Sequence, residues 1–600
     1  MITHVDPTRG SEYVVRITHD FTIHLAQEEH VLKASKADHL RRQYTYHEID
    51  LRDFGYQVVF ATGAGLFSDA YSLFSMTIVA PILGIVYYGG TMPRHYEIAL
   101  VIMTFPGALL GHIVFGILAD RYGRRRFYGL ETVISIMGVV GTVSATNGVN
   151  GSVSMMGWLL SWRFILGIGM GGSLSTGAVI CAEFAPSRFR GKMLVAQLVL
   201  QPLGQLVAML VSLALIARHR NGELSEVLPT NCTGECLQAL DSTWRWILGV
   251  ACIPYAVVAW FRLTIPESPR YFFDQGLPKE AMHDLSEYIG KSQSAGPSSG
   301  VELDLQQPRT ASRSSQSSII SSTNSATSTV SRISIETSYT TNNSDSQIPE
   351  SLSKGFYRYF WSEGNLRTIV AMALCSAFVD LPYNALLLNT PRIMTLIWNT
   401  KEPSSASIYS QLVQLCWQSI VAIPIGGLTG YYCAFSLIDK LGRRNVQMLG
   451  FLALLITFIV IGASFNALSK IGTSGTPAMA IIYMLCQACF TFGPSTTTHI
   501  SPAEVFPTRY RGFSHGVTSA SGKLGSIIGL LFLSYIEYSQ GIDYKVVHLW
   551  LPYSMLVFAF FPLCGLVISA NWIPGVEYSS EGLPKTLEDW AVGRANAERR

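Results

Sequence analysis

Long apolar runs alternate with short polar loops along most of the 600-residue chain. Each run has about twenty residues or more, which is enough to cross a hydrocarbon core of ~30 Å as an α-helix. We expect twelve spans, numbered here in chain order, at 58–86, 96–119, 127–146, 155–182, 193–217, 244–264, 366–398, 410–434, 446–466, 477–500, 513–536 and 548–571. The pattern therefore predicts an all-α membrane protein with twelve transmembrane helices.

Positive charges are distributed unevenly between the spans. The loops after spans 2, 4, 8 and 10 carry clusters of arginine and lysine, whereas the alternate loops carry few, apart from Arg218 and Arg220. Cytoplasmic loops are the ones enriched in these residues. The basic loops should therefore be cytoplasmic, together with the terminal segments 1–55 and 573–600.

Two features of the predicted outer loops agree with this orientation. N-glycosylation sequons begin at Asn150 and Asn231, and both fall in loops that this topology places outside. Cys232 and Cys236 share the second of these loops. A disulfide between them and two free thiols are both compatible with the sequence.

The segment 266–365, between spans 6 and 7, has a different composition. Its central part, 275–355, is rich in Ser and Thr and poor in large apolar residues, so it cannot bury enough surface to fold alone. We expect a cytoplasmic, largely disordered tether. The alternative is a regulatory segment on which a kinase acts at Ser312, Ser314 or Ser334, each of which lies close to an arginine.

The two halves, 56–265 and 366–572, carry related motifs. AEFAPSRFRG at 182–191 matches AEVFPTRYRG at 503–512, and DRYGRRR at 120–126 matches DKLGRRN at 439–445. The offsets of 321 and 319 residues are nearly equal, which indicates an internal duplication. Parallel six-span repeats of this kind form two bundles around a central cavity.

Composition narrows the function classes. The chain is 49% hydrophobic and only 14% charged, with a mean hydropathy of +0.30, which fits a membrane protein better than a soluble one. A net charge of +3 is too small to indicate a nucleic-acid partner. We find neither an ATP-binding loop nor a metal-ligand cluster in the sequence, so we expect no cofactor and no ordinary enzyme.

Asp69 in span 1, Arg163 in span 4, Asp380 in span 7 and Lys523 in span 11 are charged residues inside the predicted spans. A charge at the bilayer centre costs roughly 2.5–3.5 kcal/mol on insertion scales, so such residues are candidates for function. The two acids occupy spans that correspond in the internal repeat. The alternative for each is a structural salt bridge between helices, and for Arg163 this alternative is as strong as the functional one.

Lys523 lies about ten residues from either end of its span, roughly 15 Å at 1.5 Å per residue, so its ammonium reaches the interface poorly. It therefore needs a negative partner. Asp380 could be that partner permanently, or an anionic substrate could be that partner transiently. In the second case a nearby carboxylate would take up a proton as the anion enters, because the anion disfavours its charged form. Proton uptake would then accompany anion uptake, which is a symport mechanism in outline.

Several motifs resemble those of the major facilitator superfamily. GILADRYGRRR at 116–126 and RFILGIGMGG at 163–172 match its motifs in the loop after span 2 and in span 4. The stretch from 492 to 529 resembles spans 10 and 11 of the fungal and plant phosphate:proton symporters, and the glycerophosphodiester permeases share much of it. The charged residues of these motifs and their repeats are our gating candidates: Asp120, Arg124, Glu183, Arg190, Asp439, Arg443, Glu504 and Arg511.

The resemblance implies roles for the intramembrane residues. Lys523 and Asp380 match positions that contact phosphate in the symporters, and Asp69 matches an acid on the proton path. Gln201 and Asn389 also match substrate-binding positions. Asp380 and Arg163 are further candidates for proton coupling.

Other positions depart from the symporter pattern. Ser173 and Leu174 stand where the symporters carry an aspartate and a tyrosine, and Ser376 stands where they carry a tryptophan. Asn384 replaces a tyrosine, and Tyr383 lies one position earlier. Ser173 and Tyr383 remain candidate substrate contacts, and the lost tryptophan predicts a pocket for an anion larger than inorganic phosphate. If larger neighbours fill the space, inorganic phosphate is the alternative.

The expected function is secondary active transport, in the plasma membrane, of inorganic phosphate or a phosphate-bearing organic anion together with protons. One alternative is a carrier of another organic metabolite on the same scaffold. A second alternative is a nutrient sensor that binds its substrate and signals through the Ser/Thr-rich segment.

Overall fold

The computed structural model describes residues 45, 49–50, 54–90, 92–147, 152–220, 224, 227–264, 267–274, 277, 280–281, 283, 352–397, 407–470, 476–539 and 544–573. The sequon at Asn150, the three candidate phosphorylation sites at Ser312, Ser314 and Ser334, and most of both terminal segments lie outside these residues.

Twelve helices in the described ranges are long and apolar enough to cross a membrane, which confirms the predicted spans. In the first half they are Tyr56–Tyr88, Arg94–Ile102 with Thr104–Tyr122, Arg124–Phe127 with Leu130–Val143, Met155–Phe184, Arg190–Ala217, and Glu235–Gly249 with Cys252–Thr264. In the second half they are Leu366–Leu388, Ile408–Leu441, Arg443–Lys470, Thr476–Phe492 with Pro494–Val505, Arg511–Ser539, and Tyr544–Trp572. Shorter elements are Pro229–Asn231, Pro269–Asp274, Leu352–Tyr357, Arg358–Ser362, Thr390–Ile397 and Thr508–Tyr510.

Some boundaries differ from the prediction for local reasons. Span 6 begins at Glu235 rather than 244, because its first turns are amphipathic and extend beyond the apolar run. Span 7 ends at Leu388 rather than 398, and the separate helix Thr390–Ile397 follows it. Span 10 is interrupted at Gly493, since the next residue, Pro494, has no N–H to continue the hydrogen-bond ladder.

The internal repeat is visible in the backbone. Gly123, between spans 2 and 3, and Gly442, between spans 8 and 9, both have positive φ, at 98° and 81°. A residue with a β-carbon rarely adopts this conformation, so the glycine of the repeated DxxGRR motif is needed for the tight turn. The turn aims the following arginine of each half, Arg124 and Arg443, back toward an acid one turn earlier.

Small residues set how closely the helices pack. A β-carbon at Gly107 or Gly111 of span 2 would collide with carbonyl oxygens of span 4, and one at Gly167 or Gly171 of span 4 would collide with those of span 2. The glycines of the RFILGIGMGG motif therefore allow these helices to approach at backbone distance. Large apolar side chains such as Ile456 point outward instead, as expected of a surface in lipid.

The two halves meet through spans 2 and 11 and through spans 5 and 8. Gly116 of span 2 lies against the backbone of Gly512 in span 11. At the predicted outer end, the Ile408 N–H donates to the Val227 carbonyl at 3.0 Å. Cys232 and Cys236 form a disulfide with a Cα–Cα distance of 5.5 Å, which decides between the two states that the sequence left open.

Candidate functional site

A cavity lies between the two halves, about midway along the helices. It holds about 970 Å³ of space not filled by protein atoms, part of it open to solvent. Spans 1, 2, 4 and 5 of the first half and spans 7, 10 and 11 of the second half line it. The predicted site residues that reach it are Asp69, Gln201, Asp380, Tyr383 and Lys523.

Lys523 and Asp380 form an ion pair on the wall of this cavity. The Lys523 Nζ lies 3.0 Å from Asp380 Oδ2, and the side chains are 19% and 15% exposed. The ammonium also lies 5.9 Å from the centre of the Phe105 ring, which contributes a weaker cation–π attraction from the other half. Lys523 therefore has a carboxylate partner in this structure and keeps an accessible face toward the cavity.

Small and polar residues surround the ion pair on span 7. Ser376 lines the cavity one helical turn before Asp380, and Asn384 lines it one turn after. The Asn384 amide donates to Ser526 Oγ at 2.8 Å. A β-carbon at Gly522 would lie 2.6 Å from Ser376 Oγ and 2.8 Å from Asp380 Oδ2, so the glycine allows span 11 to approach this part of span 7 closely.

Asp69 lines the cavity from the first half, and the residue is 6% exposed. Its Oδ1 accepts a hydrogen bond from the Tyr255 hydroxyl at 2.8 Å. Arg163 lies outside the cavity lining and donates from Nη1 to the Ser72 carbonyl at 3.2 Å. The Nε and Nη2 atoms of Arg163 are buried and have no hydrogen-bond partner among the described residues.

Two predicted substrate contacts lie elsewhere. Ser173 is not among the residues that line the cavity, and its Oγ accepts a hydrogen bond from Arg262 Nη2 at 2.8 Å. Its neighbour Leu174 lines the cavity instead, since adjacent helical residues point about 100° apart. Asn389 follows Asp380 by nine residues, which is about 13 Å at the helical rise of 1.5 Å per residue. It lines a second space of about 670 Å³ near the predicted outer end.

Arg262 and Glu131 form a buried ion pair that the sequence analysis missed. Arg262 Nη1 donates to Glu131 Oε1 at 2.9 Å, and the side chains are 1% and 0% exposed. Because both residues lie near the ends of apolar runs, they resembled ordinary flanking charges. No sequence signal shows that the Arg262 side chain turns back into the bundle toward Ser173.

Two buried histidines of the cavity were also missed. His112 of span 2 and His499 of span 10 line it, and they are 1% and 7% exposed. The signal was present in the sequence, because both are ionisable residues inside predicted spans. The rule that selected the two acids and Lys523 would also have selected these histidines.

The predicted cytoplasmic end of the cavity is closed by polar contacts between the halves. Asp120 accepts the backbone N–H groups of Gly512 at 3.0 Å and Phe513 at 2.7 Å. These are the first amides of span 11, and a helix N-terminus favours a carboxylate there. Arg124 lies 3.2 Å from Asp120 and donates to the Thr508 carbonyl at 2.6 Å.

Glu183 links cations of both halves. Its Oε1 lies 3.2 Å from Arg124 Nη2 and 3.1 Å from Arg511 Nη1. All three side chains are at most 1% exposed. Glu183 therefore joins span 4 to the turn after span 2 and to the start of span 11.

In the second half, the acids equivalent to Asp120 and Glu183 both contact the same arginine. Arg443 donates to both oxygens of Glu504, at 2.7 and 2.8 Å, and lies 3.0 Å from Asp439. Gly191 of the first half packs against this cluster, since a β-carbon there would collide with Asp439 and Arg443. Arg190 donates to Ser187 Oγ at 3.2 Å. The eight gating candidates therefore all lie at the same end of the molecule.

Glu267, just after span 6, braces the turn between spans 2 and 3. Its two carboxylate oxygens accept the backbone N–H groups of Arg124 and Arg125, each at 3.0 Å. Burial raises the pKa of Glu267, and these hydrogen bonds act in the opposite direction. The carboxylate thus positions Arg124, the arginine that contacts Asp120 and Glu183.

Comparison with known proteins identifies the family. The family model described as "Sugar (and other) transporter" matches residues 67–344 and 325–570. The chain belongs to this transporter family. It is 31% identical to the repressible high-affinity phosphate permease of Neurospora crassa, with 88% of this chain and 86% of the permease covered. It is 30% identical to the inorganic phosphate transporter PHO84 of Saccharomyces cerevisiae, with 92% and 86% covered.

The fold of the transporter is also found among solved structures. The proton:xylose symporter XylE of the major facilitator superfamily, bound to 6-bromo-6-deoxy-D-glucose, superposes with a TM-score of 0.62 at 18% identity. The match covers 90% of this chain and 98% of XylE. The predicted superfamily and the resemblance to the phosphate branch are therefore confirmed, and the chain is a multi-pass membrane transporter.

Proposed function

We propose that this transporter carries a phosphate-type anion across the plasma membrane together with protons. The observation that carries the proposal is the Lys523–Asp380 ion pair on the wall of the central cavity. An incoming anion competes with Asp380 for the ammonium. The carboxylate then loses its partner next to a second negative charge, and protonation relieves this repulsion. Anion binding and proton uptake are thereby coupled at one pair of residues.

The names of the two fungal relatives support phosphate as the recognised group. Gln201 and Tyr383 line the same cavity and offer further hydrogen-bonding groups for its oxygens. Asp69 lies on the opposite half, bonded to Tyr255, and we assign it to proton transfer. The transporter is not an enzyme in this proposal, because the cavity needs only to bind, expose and release its ligand.

The residues on either side of Asp380 favour an organic phosphate over inorganic phosphate. Ser376 and Asn384, both small beside the residues of the symporters that the sequence resembles, lie on the cavity wall on either side of Asp380. The space they leave adjoins the ion pair. One phosphate group can then contact Lys523 while a larger body occupies the remaining volume.

An uptake panel tests the proposal. Yeast cells that lack their own phosphate transporters would express the chain and receive labelled inorganic phosphate, a glycerophosphodiester or a sugar, with and without a protonophore. We expect protonophore-sensitive uptake of at least one phosphate compound and none of the sugar. Uptake of sugar alone would instead favour the carrier of an unrelated metabolite. A correctly localised protein that takes up no compound would favour the sensor.

A further inference from the structure

Two histidine side chains that line the central cavity have no role in the transport step proposed above. His112 comes from the first half and His499 from the second, and both are more than nine-tenths buried. The Nε2 atom of each ring has no hydrogen-bond partner among the described residues. Buried polar atoms without a partner are uncommon, so these two nitrogens, on residues that line the cavity, point to a ligand.

Neighbouring groups hold both rings in place. His112 Nδ1 lies 2.8 Å from Ser175 Oγ, which fixes the plane of the ring. The His499 ring packs edge to face on the His515 ring, with 5.0 Å between centroids. His515 Nε2 in turn lies 3.1 Å from the His499 carbonyl oxygen. The rings are therefore pre-oriented, as residues of a binding site must be.

Along the backbone, the histidines lie to one side of the ion pair. His515, which contacts His499, precedes Lys523 by eight residues on the same helix, about 12 Å at 1.5 Å per residue. His112 lies at the same level, since a β-carbon at Gly516 would collide with its carbonyl oxygen. The backbone of both histidines is thus nearer the predicted cytoplasmic end than that of Lys523, whose side chain leans back toward the start of span 11 and shortens the distance from its ammonium to the rings. This offset favours a ligand whose body extends beyond one phosphate group.

The chemistry of imidazole indicates what that body carries. A neutral ring presents at Nε2 either an N–H donor or a lone-pair acceptor, depending on its tautomer. A hydroxyl group both donates and accepts, so it can satisfy either tautomer of either ring. No group of three metal-ligating side chains occurs in the described part of the chain, so a metal ion is a poorer fit.

We infer that His112 and His499 form a second subsite, which binds a hydroxyl group on the organic part of an organic phosphate. This inference rests on the proposed function, because it takes Lys523 as the anchor of the phosphate. It adds a substrate class: hydroxyl-bearing phosphate esters should bind better than esters of the same length without hydroxyl groups.

The test compares two competitors of labelled inorganic phosphate in proteoliposomes: glycerol 3-phosphate and propyl phosphate, which lacks the two hydroxyls. For the wild type we expect a half-inhibitory concentration roughly tenfold lower for glycerol 3-phosphate, since a net hydrogen bond contributes about 0.5–1.5 kcal/mol. His112→Phe and His499→Phe should each bring the ratio of the two concentrations close to one. His112→Gln and His499→Gln, which keep a hydrogen-bonding group, should retain part of the ratio.

The ratio is internal to each variant, so a general loss of activity does not change it. If a phenylalanine variant transports too little, ligand-induced shifts in its melting temperature give the same ratio. Ser175→Ala, which leaves both rings and removes only the partner of His112, should lower the ratio less than His112→Phe. His95→Phe, at an exposed outer position, is the matched control and should keep the wild-type ratio.

Two results would overturn the histidine subsite and leave the proposed function intact. One is wild-type phosphate uptake with equal inhibition by the two esters. The other is a wild-type ratio that persists in both phenylalanine variants. If the wild type neither transports nor binds any of the three phosphates, the proposed function fails, and the subsite fails with it.

Discussion

Lys523 Nζ and Asp380 Oδ2 lie 3.0 Å apart on the wall of the cavity between the two halves. Neither side chain is fully buried, so the pair can be approached by a ligand from the cavity. The sequence left two partners open for Lys523, a carboxylate and a substrate. The geometry allows both partners in turn: the Asp380 carboxylate pairs with Lys523 first, and an anion that binds the ammonium then displaces this carboxylate.

Removing the lysine should destabilise the protein through Asp380. Lys523→Ala leaves a carboxylate without its cation, and breaking a buried pair from one side costs up to ~3–5 kcal/mol, less where water has access. We expect a lower melting temperature in detergent and no phosphate uptake. The double variant Lys523→Ala/Asp380→Asn should regain the melting temperature but not the uptake. Lys440→Ala, at an exposed position, is the control.

This prediction separates the two roles of the pair. If the double variant melts no higher than Lys523→Ala, the carboxylate is not the source of the instability. If Lys523→Ala transports at the wild-type rate, the lysine does not belong to the site.

Substitutions of Asp69 and of Asp380 should disrupt different steps of transport. Asp69→Asn keeps the shape of the side chain and the contact with Tyr255 but cannot carry a proton. We expect its uptake to become insensitive to a protonophore, whereas Asp380→Asn should mainly raise the substrate concentration needed for half-maximal uptake. Uptake measured with and without the protonophore distinguishes them. An Asp69→Asn transporter that stays fully protonophore-sensitive would refute this division of roles.

Ser376→Trp tests whether the cavity is enlarged for substrate. The new ring would occupy space beside Asp380, so uptake of a bulky organic phosphate should fall by at least tenfold more than uptake of inorganic phosphate. Ser376→Ala removes the hydroxyl and keeps the volume, so it should change the two rates equally. The idea fails if the wild type carries only inorganic phosphate and the tryptophan variant is unaffected.

Glu183→Gln should open the predicted cytoplasmic end. The variant weakens the contacts of one carboxylate with Arg124 of its own half and with Arg511 of the other half. We expect a cysteine introduced at Thr498 in the cavity to react several-fold faster with a membrane-impermeant thiol reagent in inside-out vesicles. Glu97→Gln breaks a partly exposed pair with Arg94 within one half, at the predicted outer end, and should leave the rate unchanged. Equal rates in Glu183→Gln and its parent would contradict the gating role.

The fold was predictable because hydropathy and loop charge act over whole segments. Twelve apolar runs require twelve helices, and the repeated DxxGRR motif fixes equivalent turns at Gly123 and Gly442. Lys523, Asp380 and Asp69 were found because a charge in an apolar run is costly wherever its side chain points. These inferences need no knowledge of rotamers or of helix rotation.

The detailed shape of the site was not predictable, because it depends on the direction of each side chain. Ser173 was expected at the substrate but contacts Arg262, and Asn389 lies in the outer space instead of the central one. The position of a residue in a motif predicts its helix and its depth in the membrane. The side of the helix on which the residue lies depends on how the helices pack. His112 and His499 were overlooked because the motifs drew attention to charged residues only.

The most direct test of the account is counterflow in proteoliposomes. Vesicles containing the purified protein would be loaded with unlabelled phosphate compound and diluted into a trace of the same compound with a label, without a proton gradient. We predict transient accumulation of label by the wild type and none by Lys523→Ala, with Lys440→Ala behaving as the wild type. Absence of counterflow by a folded wild-type protein that binds the compound would contradict transport. Equal counterflow by Lys523→Ala would contradict the central place of the Lys523–Asp380 pair.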